Sequence, residues 1–317
     1  MEDGDFDGSK KMIYQIIKDT PWDNDAAFNA GWAKLSEGKI VEGYTLLDRG
    51  REKGPNGWIW GDKEAQSPQA QWRGNPDCTV MLRLERGLGD QFHQVRYARQ
   101  LKAKGCTVIV SCHPQVAEVM HHADGVDAVV NHDCSMGVVH DYYFPAMSAP
   151  MYLGKKSIKD TAYIPRSHPT IPGRVGLCWQ GNVAYEHQTK RKFPPELLFH
   201  AMKGRAPEFI NLQKGEGIEH KPDWVHMVDL TNWTATARAV SSCEYVVTSC
   251  TSIAHISGAM GVPTFVILPM IPYYIWSVPG VTSPYYKSVT LFRQDNVDDW
   301  LTPFQQLGSC LEDRHAD

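Results

Sequence analysis

Along most of the chain, short apolar, β-branched runs alternate with stretches in which apolar residues recur at helical spacing. The run at 78–84 reads as a strand, and Phe92, Val95, Arg96, Ala98 and Leu101 then follow helical spacing up to Gly105. Strands are predicted again at 107–111, 127–130 and 141–144, with a helix over 115–122. Pro165, Pro169 and Pro172 interrupt the pattern, which restarts with a strand at 174–179 and a helix at 194–203. Further strands are predicted at 208–213, 225–230, 244–248, 264–268 and 288–293, before a closing helix at 297–311. Such alternation predicts an α/β chain with two doubly wound, Rossmann-like domains, 78–168 and 169–317, facing one cleft.

Residues 1–77 depart from this alternation. Between 24 and 51, Phe28, Trp32, Leu35, Ile40, Tyr44 and Leu47, broken by Gly38, predict two amphipathic helices in a short hairpin of tetratricopeptide type. A lone hairpin cannot bury both its faces, so it is expected to pack on the neighbouring domain, and it offers a surface for a partner. Ahead of it, Asp3, Asp5, Asp7 and Gly8 imitate the start of an EF-hand loop, but Tyr14 stands where a bidentate Glu is needed. Residues 1–11 therefore read as a disordered acidic tail. In the connector 54–77, Trp58, Trp60 and Trp72 read as anchors packed on a neighbour rather than as base-stacking platforms.

Composition narrows the function classes. A net charge of -4 over 317 residues gives no overall basic footprint, which disfavours broad nucleic-acid or membrane-surface binding. No apolar run approaches the roughly 20 residues of a membrane span, and the acidic start is unlike a signal peptide, so a cytoplasmic protein is expected. The eight cysteines lack any C-x-x-C spacing and read as reduced, mostly buried thiols. His121, His122 and Asp124 do not make a metal site, because adjacent histidines leave a helix on different faces, and no metal is assigned.

Ligands of open parallel sheets bind beyond the carboxyl ends of the strands, which selects the loops 86–90, 179–192, 213–217 and 249–255. Gly87 and Gly89 are not a dinucleotide fingerprint, because the third glycine of that pattern would fall at Phe92. Asp90 has two readings, a helix cap and a base for an incoming hydroxyl, and the residues alone favour the cap. Lys190, Arg191 and Lys192, after Trp179, Gln180 and Asn182, suit a diphosphate as well as they suit a solvated basic loop. Gln213, Lys214 and Glu216, set among glycines, read first as a tight turn and second as a nucleotide cradle. Thr251 or Ser252 is placed to cap a helix whose first turn offers N–H groups to an anion; His255, one turn on, reads either as a satisfied core histidine or, favoured by that position, as a phosphate or sugar contact.

Four blocks, taken in order, resemble a known family: Arg86-Gly87-Leu88-Gly89-Asp90 with Arg96-Tyr97, 176–182, 212–217, and 251–261. They resemble bacterial and phage proteins that join tetratricopeptide repeats to a glycosyltransferase family 9, heptosyltransferase-like domain of the GT-B fold. Ser283-Pro284-Tyr285-Tyr286 and Leu291-Phe292-Arg293-Gln294 resemble its closing blocks. The resemblance departs at Cys250, where the family often has an aspartate, and at Arg191-Lys192, where Arg-Ser is usual.

The resemblance implies an inverting, metal-independent transfer from a nucleotide-diphosphate sugar, a co-substrate rather than a resident cofactor. Asp90 takes the place of the catalytic base, with Gly87, Gly89 and Arg96 on the acceptor side. Trp179, Gln180, Asn182, Lys190, Arg191, Lys192, Gln213, Lys214, Glu216, Thr251, Ser252 and His255 take the donor side. The acceptor stays open among a saccharide, a lipid, a protein and a modified DNA base. Two other functions compete: a non-catalytic sugar-nucleotide-binding or scaffold protein, and a glycosyltransferase acting on hydroxymethylated DNA bases.

Overall fold

A computed structural model describes residues 6–51, 60–61, 68–154, 161–182, 191–297 and 299–316. The chain divides into two compact units, Met1–Asp160 with Ser277–Pro279, and Thr161–Trp276 with Gly280–Asp317. Each is built on a wholly parallel sheet.

In the first unit the sheet order is β3-β2-β1-β4, from β1 (Thr79–Arg83), β2 (Thr107–Cys112), β3 (Ala128–Asn131) and β4 (Tyr142–Pro145). β1 is central and apolar on both faces, as a strand covered by helices must be; Val80, Met81 and Leu82 are all buried. The helix predicted across 92–105 forms as two, Leu88–Gln94 and Tyr97–Lys102, with the break at Val95 and Arg96.

The hairpin consists of Asn24–Ser36 and Ile40–Asp48, turned by Gly38 at φ 73°. The two helices pass closely because glycines face each other: a Cβ on Gly31 would stand 2.8 Å from Gly43 O, and one on Gly43 2.7 Å from Leu35 Cδ2. The tail reading fails from Phe6 onward, because Phe6–Asp19 is a helix docked on the hairpin. Tyr14 Oη donates to Glu37 at 2.8 Å and lies under Lys34 Nζ, 4.6 Å from the ring centroid. Asp3 and Asp5 lie outside the described residues, and Tyr14 on a helix leaves no calcium loop around it.

Trp60 and Trp72 are anchors: Trp60 packs on Phe28 and Tyr44, and Trp72 on Phe144 with centroids 4.9 Å apart. Trp58 lies outside the described residues.

The second unit has the order β10-β9-β8-β5-β6-β7, from β5 (Arg174–Cys178), β6 (Glu208–Asn211), β7 (Val225–His226), β8 (Tyr245–Ser249), β9 (Thr264–Leu268) and β10 (Val289–Arg293). One face of this sheet buries Val175, Leu177, Val247, Phe265 and Ile267 against the helices Pro195–Met202 and Leu301–Ala316. The strand predicted at 225–230 stops after two residues. There the Asp229 carboxylate takes the Thr231 N–H at 2.9 Å, and Asn232 then caps the helix Trp233–Ser242 through Ala235 N–H at 2.9 Å. Among the described residues, no helix is long and apolar enough to cross a membrane.

Candidate functional site

In unit 1 the sheet changes direction of winding between β1 and β4, the position where open α/β sheets form a crevice. The loop after β1 occupies it. Gly87 is the N-cap of the helix Leu88–Gln94, and Asp90 at its third position accepts the Gly87 N–H at 3.2 Å. The cap expected from the residues alone therefore forms, with the half-buried Asp90 carboxylate at the helix start. Gly89 is buried and Gly87 exposed.

Arg96 is placed inside the unit, fully buried, with Nε donating to His93 O at 2.7 Å. At the carboxyl ends of β1 and β2, Ser111 Oγ meets His132 Nδ1 at 2.9 Å, and Arg83 Nη1 donates to Ser135 at 3.2 Å. Burial, with Arg83 and His113 nearby, pulls His132 down to about 4, so its imidazole is neutral at pH 7. No motif marks these polar residues in the sequence.

In unit 2 the switch point lies between β5 and β8, where Cys178 pairs with Thr248 in register. The flanking loops are joined by one side chain. Gln213 Oε1 accepts the N–H groups of Trp179 at 3.1 Å and Gln180 at 2.9 Å, while its Nε2 donates to Glu216 O at 2.8 Å. Asn211 orients it through bonds to its backbone N–H and C=O. Trp179 is fully buried and donates through Nε1 to Gly217 O at 2.7 Å. Gly215 and Gly217 have φ of 75° and 84°, the left-handed geometry that a tight turn needs. Lys214 Nζ bonds the carbonyls of Leu230 and Thr231, and the Glu216 side chain is exposed.

After β8, Thr251 caps the helix Ser252–Ala259 by accepting the Ile253 N–H at 3.2 Å. Thr248 and Thr251 hydroxyls lie 3.1 Å apart, and Cys178 Sγ is 3.8 Å from Thr251 Oγ1. Burial pushes the Cys178 thiol up against the hydrogen bonds that favour its thiolate, which keeps it protonated and un-nucleophilic.

Arg191 reaches this turn and donates to Cys250 O at 2.7 Å, with a weaker bond to Asn182 O at 3.5 Å. Lys192 is exposed, and Lys190 lies outside the described residues. His255 is buried, with Nδ1 2.9 Å from Tyr286 Oη and its ring stacked on Trp276 at 5.0 Å. A Cβ on Gly258 would stand 2.7 Å from the Tyr286 ring, so the glycine lets tyrosine and helix meet.

The structure thus brings Trp179, Gln180, Asn182, Arg191, Gln213, Thr251 and Ser252 to one edge of the sheet and holds His255 behind it. It also adds Arg293, which ends β10 and donates to Trp276 O at 2.7 Å. Burial pulls that guanidinium down to about 10, against the influence of nearby Cys250. Its place among the closing blocks was the only trace of it in the sequence.

No family model and no curated protein sequence matches the chain. Solved structures do. The E. coli ADP-heptose lps heptosyltransferase II is similar with a TM-score of 0.52 at 11% identity, covering 75% of this chain and 99% of that one. The glycosyl transferase family 9 protein from Veillonella parvula is similar with a TM-score of 0.53 at 9% identity, covering 75% and 97%. The E. coli heptosyltransferase WaaC, solved with ADP-2-deoxy-2-fluoro heptose, is similar with a TM-score of 0.54 at 12% identity, covering 74% and 99%. The fold is GT-B-like. Within this GT-B-like fold, the Gln213-stitched loops and the Thr251-capped helix stand at the carboxyl edge of the second sheet, and the Asp90 loop at that of the first.

Proposed function

We propose that the chain transfers a sugar from a nucleotide-diphosphate sugar to an acceptor hydroxyl, with inversion and without a metal. The observation that carries this reading is the seat after β8: a capped helix start with Thr248, Thr251 and Ser252 beside it and the Arg191 guanidinium on the Cys250 carbonyl. Helix N–H groups and a guanidinium together suit a diphosphate. The GT-B-like fold supports the same reading.

In the reaction, Asp90 accepts the acceptor's hydroxyl proton as the oxygen forms its bond to the anomeric carbon. The bond from that carbon to the diphosphate breaks on the opposite face, and the leaving oxygen gains negative charge. Arg191, Lys192, the neighbouring Lys190 and the helix start stabilise that charge electrostatically, a part that a divalent metal plays in other glycosyltransferases. Gln213 holds the nucleotide-side loops in shape. The acceptor enters this reading as a hydroxyl only, and a cytoplasmic setting and the hairpin's tetratricopeptide character belong to the same proposal.

Thermal shift with a panel of nucleotides and sugar nucleotides, with EDTA present, tests the donor half. One class of sugar nucleotide is expected to raise Tm in the wild type, and Arg191→Ala to lose that rise while keeping its own unliganded Tm. A panel that leaves the wild-type Tm unmoved overturns the donor site.

A further inference from the structure

Glu85 is the residue at which β1 hands over to the Asp90 loop, and it is fully buried. A carboxylate in that position is tolerated only where charge and hydrogen bonds replace water. Arg51, at the end of the 3-10 turn Arg49–Arg51 just after the hairpin, supplies them. Its Nη1 and Nη2 donate to the two Glu85 oxygens at 2.7 Å each, and the Met147 N–H adds a bond to Oε2 at 2.9 Å.

The guanidinium is itself anchored: Nε donates to Asp48 at 2.9 Å and to Ser148 Oγ at 3.0 Å. Gly61 closes over the pair, since a Cβ there would stand 2.1 Å from Arg51 Nη1 and 2.7 Å from Glu85 Oε1. The Glu85 backbone is gripped from the other side, its N–H donating to Gln94 Oε1 at 2.7 Å and its carbonyl accepting Gln94 Nε2 at 3.2 Å.

The next residue, Arg86, stands at φ 65°, a left-handed backbone that a side-chain-bearing residue holds only when its surroundings over-determine it. One residue later the Gly87 N–H points at the Asp90 carboxylate. Gln94 and Met147 grip Glu85 from within the Rossmann-like unit, whereas the Arg51 guanidinium reaches it from the hairpin side.

We infer that Arg51 is a positioning residue: its fork onto Glu85 sets the left-handed Arg86 turn, and through it the place of the Asp90 carboxylate. The helical hairpin is then a buttress for the acceptor-side loop. A load on the hairpin reaches Asp90 through two side chains. The consequence for catalysis rests on the transferase reading, whereas the conformational claim does not.

The test uses the full chain and the variant Arg51→Lys, which keeps the charge and loses the two-pronged geometry. Amide hydrogen exchange is expected to quicken about tenfold at Glu85 and Gly87 while Val108 and Val110 in β2 hold their rates. In a sugar-nucleotide turnover assay kcat is expected to fall with the donor KM unchanged, a split that a plain ion pair tying hairpin to sheet would not give.

Ser148→Ala removes one anchor of the fork and no charge, and is expected to act in the same direction more weakly, so the test stands if Arg51→Lys fails to fold. Unchanged exchange at Glu85 and Gly87 in the folded variants overturns the inference. An active wild type matched in kcat by Arg51→Lys overturns the positioning role. A loosened loop in Arg51→Lys, beside a wild type that turns over no sugar nucleotide, supports the conformational claim and removes the transferase reading instead.

Discussion

Gln213 shows how one side chain can hold two loops at the carboxyl edge of the second sheet. The buried side chain accepts two backbone N–H groups through its amide oxygen and donates through its amide nitrogen to a third residue. Gln213→Leu keeps the volume and leaves the Trp179 and Gln180 N–H groups with no acceptor there, at a cost of about 2–4 kcal/mol. Urea denaturation is expected to show that loss as a lowered midpoint, and an unchanged midpoint would contradict it.

His132 makes a second prediction at this scale. Its folded-state value of about 4 lies below the ordinary 6.5, so between those two values the unfolded chain binds the extra proton. Its contribution is therefore full above pH 6.5 and is lost as pH falls from there toward 4. A plot of stability against pH is expected to flatten over that window in His132→Gln, and an unchanged slope would contradict the assignment. Gln213 could be singled out in the sequence because it comes after an apolar run and sits among glycines. Glu85 could not, and Arg293 surfaced only inside a closing block, because nothing local distinguishes an enclosed charge from a solvated one until the fold supplies its neighbours.

Among the elements, the hairpin depends on two glycines facing each other across a helix crossing. Gly31→Ala places a Cβ 2.8 Å from the Gly43 carbonyl and 2.8 Å from Leu47 N, backbone atoms that cannot turn aside as a side chain would. The substitution is expected to cost about 1–3 kcal/mol by overpacking, even though alanine favours helix. A rise in Tm for Gly31→Ala would refute this.

The strands were readable wherever apolar runs are buried on both faces, as at Val80–Leu82 or 245–247. Two features were not. The helix Phe6–Asp19 was hidden because the acidic residues before it outweighed the periodicity of Ile13, Ile16 and Ile17. The strand predicted after Trp224 ends at His226, and its last predicted residues run instead into the Asp229 turn and the Asn232 cap that open the helix Trp233–Ser242.

At the scale of the whole molecule, two parallel sheets each present a switch point at a carboxyl edge, one carrying Asp90 and the other the Thr251-capped helix. The architecture was legible in the strand–helix alternation, and the order of four sequence blocks pointed to the same fold as the solved heptosyltransferases. In the proposed reaction, local cations, Arg191 and Lys192 among them, attract the diphosphate against a net charge of -4.

Whether Asp90 is a base or a helix cap alone decides between a transferase and a binding protein. Asp90→Asn retains an oxygen for the Gly87 N–H and so keeps the helix cap, but it cannot take a proton. The deciding measurement is sugar-nucleotide turnover in the presence of a chelator, wild type beside Asp90→Asn, using the donor that raises Tm. The predicted result is turnover in the wild type and a fall of at least about a hundredfold in the variant at equal Tm. Undiminished turnover in Asp90→Asn would contradict it.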